Sequence, residues 1–397
     1  MSVNTMSFED ASSLLNDLTQ MVTGEAQIDA VDESDFVSIA TTTLQTGYDP
    51  IAIGISQIIG RTIFSDRRYS PHLRGMMRNS QEWGGITRKI NYIDTEVEPS
   101  KVYDLTNGAS VDPWVVSKQP ALQTNFYGGN TFSRSYTITR EQLKSAFTGS
   151  AQFGSYMMGL TTHIANQVDQ MTETETRACL NNLIAGKLDG DATNVVHLLT
   201  VYKSQTGNTT ITSANYLSDG EFIPFAKWLY GFLNTLIDFM GERSSKYHMN
   251  VTTYNGSSVR PIMRATPRNR MKCYMNSALM NQINSSVLSS VFNEQLLKLI
   301  DYESINYWQS IDSPMEINVL PSYLDSDGTV TKAEEEVNED NIVGVLFDEE
   351  ACGITRILES TAPTPYNPRG DYYNVWYNWT TRWYNDFTEN AIVLCLD

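Results

Sequence analysis

The last 57 residues, 341–397, constrain this chain more than any other stretch. The runs Ile342–Phe347 and Ala391–Leu396 have the length and apolar bias of buried strands. Pro363, Pro365, Pro368 and Gly370 punctuate a loop between them, and an aromatic run, Tyr366–Tyr384, overlaps and follows it. Tyr372, Asn374 and Trp376 alternate with Tyr373, Val375 and Tyr377, which predicts a strand covered on both faces. The order is strand, acidic turn, strand, proline loop, aromatic strand, turn and terminal strand. Such density of rings favours a packing role over a platform for sugars.

The rest of the chain supplies what those strands need. With 397 residues and 41% hydrophobic content it can bury a large core in one to three domains. No apolar run approaches the roughly 20 residues that cross a bilayer, and the first residues lack the pattern of a secretory signal, so synthesis in the cytoplasm without a membrane is expected. Cys179, Cys273, Cys352 and Cys395 lie far apart, without metal-ligand spacing, and read as buried or half-buried free thiols. A net charge of −18 disfavours a tight grip on nucleic acid, which needs a concentrated basic face.

Charge is segregated along the chain. Residues 1–60 hold nine acids and no Lys or Arg, whereas the next 29 hold Arg61, Arg67, Arg68, Arg74, Arg78, Arg88 and Lys89 against Asp66 and Glu82. Residues 301–350 are acidic again, with fourteen acids opposed by Lys332 alone. These blocks are either solvated faces or complementary surfaces by which one copy docks on another.

The pattern along the chain places the elements. Residues 1–35 contain weak helical pieces such as Phe8–Val22, and 36–64 are more apolar. Arg88–Ile93 and Phe126–Ile138 alternate as strands, with turn signals at Asn107-Gly108 and Gly128-Gly129-Asn130, and predict a long hairpin that needs support along its length. A helix is expected from Ala151 to Ala185, with Phe153, Met157, Leu160, Ile164, Val168 and Met171 on one face and Gly186 as its stop. A second runs from about Phe222 to Gly241, capped by Ser218 or Asp219, with Pro224 in its first turn. A strand near Met271–Met275 then precedes helices at about Ser277–Val291 and Asn293–Ile300.

Residues suited to catalysis are sparse. The four histidines have no metal spacing, and there is no GxSxG elbow, phosphate-binding loop or GxGxxG. Asp325-Ser-Asp-Gly has its glycine in the wrong place for a calcium loop and reads as a tight turn. The chain is expected to be no enzyme and to need no cofactor or metal. Acids plentiful enough to form a glycosidase pair leave a carbohydrate-active hydrolase as an alternative.

The segments "GVLFDEEACGI", "NPRGDYYNVWY" and "NDFTENAIVLCL", with "RTIFSDRRYSPHL", "WGGITRKINYID" and "SVDPWVV", resemble the major capsid proteins of tailed bacteriophages, nearest to those of short-tailed phages of Gram-positive hosts. The resemblance implies an α+β subunit of the Hong Kong 97 fold. It assigns 1–65 to an N-terminal arm partly ordered by neighbours, 66–137 to an extended β-hairpin loop, and 138–192 to a peripheral domain with a long spine helix. Residues 193–340 become mainly the axial domain, and 341–397 the strands that complete both domains. The implied function is a shell built from hexamers and pentamers, enclosing double-stranded DNA that it holds only loosely. The implied setting is the virion capsid, assembled in the host cytoplasm, with a portal and scaffolding or minor capsid proteins as further partners. The 35 residues before the apolar segment favour a separate scaffold or none. An encapsulin-like nanocompartment would share the fold. The expected contacts between subunits are Arg67, Arg68, Arg74, Arg88 and Lys89 against an acidic neighbour, with Trp83, Trp114, Tyr366 and Arg369. Some members crosslink a loop Lys to an Asn; Lys89, Lys101 and Lys118 lie in that region, but nothing near them marks such a site.

Overall fold

The computed structural model describes residues 7–23, 32–45, 50–51, 55, 73–78, 87–93, 100, 105–114, 116, 121–127, 129–254, 257–258, 260–290 and 302–397. Its axis is one helix, Ser150–Gly190, whose 41 residues span about 60 Å at 1.5 Å each. The helix passes through Gly186, where the sequence predicts a stop. That glycine is needed for packing, since a Cβ there would stand 2.6 Å from the Phe387 ring. The helix ends four residues later, where the fully buried Lys187 reaches Asp191 at 2.9 Å.

The long helix belongs to two cores. Phe153, Met157, Ile164 and Val168 pack with Leu15, Leu18, Phe36, Ala40, Ile51 and Ile55 of the N-terminal region. Cys179, Leu180, Leu183 and Ile184 pack with the C-terminal strands. The stretch between them is polar and still buried. Arg177 donates to Glu173 at 3.1 Å and to the Tyr307 carbonyl, and its guanidinium lies 4.0 Å from the Tyr307 ring centroid. Asn181 donates to the Trp308 carbonyl at 3.0 Å, while Glu175 accepts from Asn130 at 2.8 Å and from Thr381. Buried polar groups need such partners, so this belt fixes where the Trp308 segment and two strands sit.

The first residues form helices Phe8–Thr23 and Glu33–Gln45 that lie on the long helix of their own chain. Glu33 makes the junction. Its carboxylate accepts from the Ser150 amide at 2.8 Å and from the Ser150 hydroxyl at 2.6 Å. It thereby caps a helix whose own cap residue, Gly149, has no side chain to do so.

Two sheets cover the long helix. In the first, the aromatic strand Tyr372–Asn385 lies antiparallel between Cys352–Pro363 and Asn130–Thr139. Tyr373, Val375, Tyr377 and Trp379 face inward. The opposite face, expected to be covered too, is open: Trp376 is 42% exposed. Its neighbours explain this, because Thr137 bonds Asn374 at 2.7 Å and Thr131 approaches Thr380 at 3.2 Å, an outer surface of hydroxyls and amides. The predicted strand Phe126–Ile138 is also divided. Its start belongs to Ala121–Phe126, which pairs with Thr87–Tyr92, and its remainder belongs to this sheet.

The second sheet has five strands in the order Val195–His197, Ala391–Cys395, Ile342–Asp348, Met271–Asn276 and Glu303–Ile305. Both apolar runs at the C-terminus are fully buried within it. Ile392, Leu394 and Leu396 face the helices Leu198–Thr206, Asp219–Gly241 and Ser277–Ser290; Ala391, Val393 and Cys395 face the long helix. A register shift between Ile342 and Gly344 turns Val343 to the opposite side from Val345. The helix expected at Phe222 begins earlier, at Asp219, so Pro224 falls in its second turn. The helix expected at Asn293–Ile300 lies outside the described residues.

Replacing Gly186 with Leu forces the long helix away from Phe387. Urea unfolding of the subunit is expected to show a loss of about 1–3 kcal/mol, whereas Gly159→Leu, where a Cβ meets nothing within 4 Å, has little effect.

Candidate assembly surface

The strands Thr87–Tyr92 and Ala121–Phe126 form an antiparallel hairpin, with Lys89 opposite Thr124 and Asn91 opposite Leu122. A two-stranded ribbon is at best marginally stable by itself, so its position depends on what each face meets. Alternation sends Lys89, Asn91 and Leu122 inward and Arg88, Ile90 and Tyr92 outward.

The inward face meets the turn Asp386–Asn390, all five residues of which are buried. Lys89 Nζ lies 2.6 Å from Asp386, pairs with Glu389, and is 3.6 Å from Glu350. Arg264 stands 3.1 Å from Glu389, donates to the Thr388 carbonyl at 3.0 Å and to Asn91 at 2.8 Å, tying hairpin to turn. A small apolar cluster of Ile93, Leu122, Val251 and Ile262 lies beside these ions. Asp386 also organises the turn, accepting from the Thr388 amide at 2.9 Å and hydroxyl at 2.6 Å. On its far side Asn390 bonds Thr266 at 3.1 Å and approaches His248 at 3.1 Å, whose burial lowers its pKa.

Electrostatics follow from two buried carboxylates facing two cations. Burial pulls the Lys89 pKa down, but Asp386 and Glu389 outweigh it and hold the ammonium above the ordinary lysine value. For Glu389 burial prevails over Lys89 and Arg264, and its carboxyl sits above the usual range. The two directions agree physically: the ammonium gains from both acids, while Glu389 bears desolvation and repulsion from Asp386. Glu350 is pushed up by burial, yet the hydrogen bond from Arg270 and the nearby Lys89 charge hold it below its usual value.

The outward face is uncovered. Ile90 is 53% and Tyr92 66% exposed, and Arg88 is exposed with no ion pair among the described residues. The segment beyond continues the pattern. Asn107-Gly108 turns with Gly108 at φ +89, Asp112 accepts from the Trp114 amide at 2.9 Å, and Trp114 stands 85% exposed near the exposed Val111 and Val116. Exposed apolar residues grouped in this way mark a surface awaiting a partner.

The proline loop is a second, preorganised projection. Asn367 accepts from the amides of Arg369 and Gly370 at 3.1 and 3.3 Å and donates to the Tyr372 hydroxyl at 3.0 Å. Tyr366 donates to Asp371 at 2.5 Å and packs 5.2 Å from Tyr373, and the hydrogen bond to that carboxylate raises its pKa. The loop is held so that Arg369 is exposed.

Of the residues expected at contacts between subunits, Arg67, Arg68 and Trp83 lie outside the described residues, and Arg74 opens a single turn, Arg74–Met76. Arg88, Trp114 and Arg369 are exposed. Lys89 differs: its charge is compensated inside its own subunit, because a strand sends neighbouring side chains to opposite faces and Arg88 takes the outer one. Asp386, Glu389 and Arg264, which anchor the hairpin, were not among the residues expected at the site. The one signal for Asp386 and Glu389 is a largely polar run set directly before a wholly apolar terminal strand, and nothing local marks Arg264.

A family model of Phi29-like phage major capsid proteins matches residues 13–395. Among solved structures, the capsid structure of Staphylococcus phage Andhra is 13% identical, with a TM-score of 0.55 over 85% of this chain and 87% of that chain. The structure of head fiber and inner core protein gp22 of native bacteriophage P68 matches with the same identity, TM-score and coverage. These two likenesses show a shared fold. No curated protein matches the chain.

Lys89→Met leaves Asp386 and Glu389 buried without their ammonium and is expected to cost about 3–5 kcal/mol in urea unfolding, while Arg88→Glu stays within about 0.5 kcal/mol of the parent. Because the folded-state pKa of Lys89 is raised, its contribution is complete below about pH 10 and disappears as pH rises through the raised value. The stability difference between parent and K89M should therefore narrow in strongly alkaline buffer.

Proposed function

The chain belongs to the Phi29-like phage major capsid proteins, and from that premise we propose how its surfaces build a shell. It is a structural protein of the virion, a major capsid protein of a tailed phage that assembles with copies of itself into an icosahedral capsid. In the proposed division, residues 1–65 are the arm, 66–137 the extended loop, 138–192 the peripheral domain, and 193–340 mainly the axial domain gathered about fivefold and sixfold axes. Residues 341–397 complete both domains.

The observation that carries the reading is the two-sided hairpin. Its inner face is consumed by Asp386, Glu389 and Arg264 of the same subunit, and its outer face leaves Arg88, Ile90 and Tyr92 exposed. The outer face and Trp114 lie against the adjacent copy, with Arg88 directed to acids there; Arg67, Arg68, Arg74 and Trp83 belong to the same contact. The Pro365–Gly370 loop meets other subunits through Tyr366 and Arg369. Fixed register is the gain from such charge complementarity.

A portal and a separate scaffolding or minor capsid protein complete the proposed assembly, which takes place in the host cytoplasm. The net charge of −18 supports loose contact with packaged DNA. No described helix is long and apolar enough to cross a membrane.

The test is a double substitution, Ile90→Lys with Tyr92→Lys, on the exposed face of the hairpin. Purified protein should keep the parent's circular dichroism and urea midpoint yet give no shells by electron microscopy. Arg88→Glu should raise the concentration needed for assembly roughly tenfold, about 1.4 kcal/mol per contact. Normal shells from the double variant would overturn the assignment of this face.

A further inference from the structure

Four cysteines are buried in the subunit, and two of them touch. Cys179, in the C-terminal third of the long helix, and Cys352, at the start of the strand Cys352–Pro363, have their sulfurs 3.2 Å apart although 173 positions separate them in sequence. Asn385 holds them in place. It pairs with Cys352 across the sheet, donates through Nδ2 to the Cys179 carbonyl at 3.0 Å, and accepts from the Cys179 thiol at 3.0 Å. The other two cysteines have no such relation. Cys273 faces the helical side of the five-stranded sheet and Cys395 the opposite side, with the strand Ile342–Asp348 between their strands.

We propose that Cys179 and Cys352 are an oxidation site, a dithiol in the reducing cell that becomes an intrasubunit disulfide once the assembled shell meets a peroxide. The sulfurs need only close from 3.2 Å to the roughly 2.05 Å of a disulfide. One equivalent of hydrogen peroxide is consumed. One thiol, having given its proton to water, displaces hydroxide from the peroxide and becomes a sulfenic acid; the second sulfur then attacks the first and expels water. Two S–H bonds and the O–O bond break, one S–S bond forms, two waters leave, and both sulfurs are oxidised as both peroxide oxygens are reduced. Burial explains why the pair waits. The Cys352 thiol is pushed well above the ordinary cysteine value by desolvation and by the Cys179 thiol beside it, and thiolate is the reactive form.

The link would act at a mechanical junction. Cys179 lies where the long helix passes from its polar belt to the second core, and Cys352 begins the outer strand of the aromatic sheet. Joining them ties helix to sheet across a very long loop, and closing a long loop withdraws the most freedom from the unfolded chain. The virion leaves a compartment that reduces disulfides for one that preserves them. The proposal takes only that change of surroundings from the assignment of the chain as a capsid protein, and its chemistry is testable whether or not the hairpin face is the assembly contact.

The experiment uses purified shells, half treated with millimolar hydrogen peroxide, then denatured with N-ethylmaleimide and digested without reductant. Untreated shells should give peptides Ala178–Lys187 and Ala333–Arg356 separately, each alkylated. Treated shells should give them joined, without maleimide and two hydrogens lighter than the two free-thiol peptides together, and should melt roughly 5–10 °C higher, a gain that dithiothreitol removes. Cys179→Ser and Cys352→Ser, made separately so that one folding failure does not end the test, should each abolish both the joined peptide and the shift in melting. Alkylatable Cys179 and Cys352 after peroxide, sulfinic acids without a link, or a link to Cys273 or Cys395 instead would each overturn the proposal.

Discussion

Much of this subunit depends on one short turn. Asp386–Asn390 connects the aromatic strand to the terminal strand, and every residue of it is buried. Phe387 fills the space left by Gly186 in the long helix, Asp386 and Glu389 take the hairpin's Lys89, and Asn390 holds the loop that carries His248 and Thr266. Buried carboxylates are costly unless compensated, so the turn cannot sit there without the hairpin and Arg264. The hairpin in turn has a small apolar cluster and the packing of Phe126 on Tyr384 to hold it. Each stabilises the other, which couples an element reaching outward to the centre of the fold.

The long helix solves a different problem. It must join a sheet that faces water on one side to a sheet buried on both, and it does so by changing character along its length. Apolar residues serve each core, and Glu175 and Arg177 between them, with Asn181 just beyond, bind strands and a loop by directional bonds. Directional bonds fix register where an apolar surface would allow sliding. The arm adds Glu33 as a cap borrowed from another helix, so the start of the long helix is set by tertiary contact.

The same alternation that turns Lys89 inward exposes Arg88, Ile90 and Tyr92. A capsid subunit has to be folded enough to be presented and incomplete enough to assemble, and one strand with unlike faces meets both demands. The Pro365–Gly370 loop repeats the principle, its backbone locked by Asn367 while Arg369 stays in solvent.

Local periodicity made much of this legible. The fully apolar runs at the C-terminus, the amphipathic helices and the proline loop were readable because each signal is carried by residues within a few positions of one another. So was the resemblance to phage capsid proteins, carried by short segments such as "NDFTENAIVLCL". What the sequence could not show was which face of the aromatic strand lies open, that Gly186 serves packing and not termination, and that Lys89 is spent within its own subunit. The partners that decide those points are distant in the chain: Lys89 meets Asp386 and Glu389 across 297 and 300 positions. Strand and helix propensities act over a few residues, whereas compensation of a buried charge depends on which groups the finished fold brings within a few ångströms, and only the tertiary structure decides that.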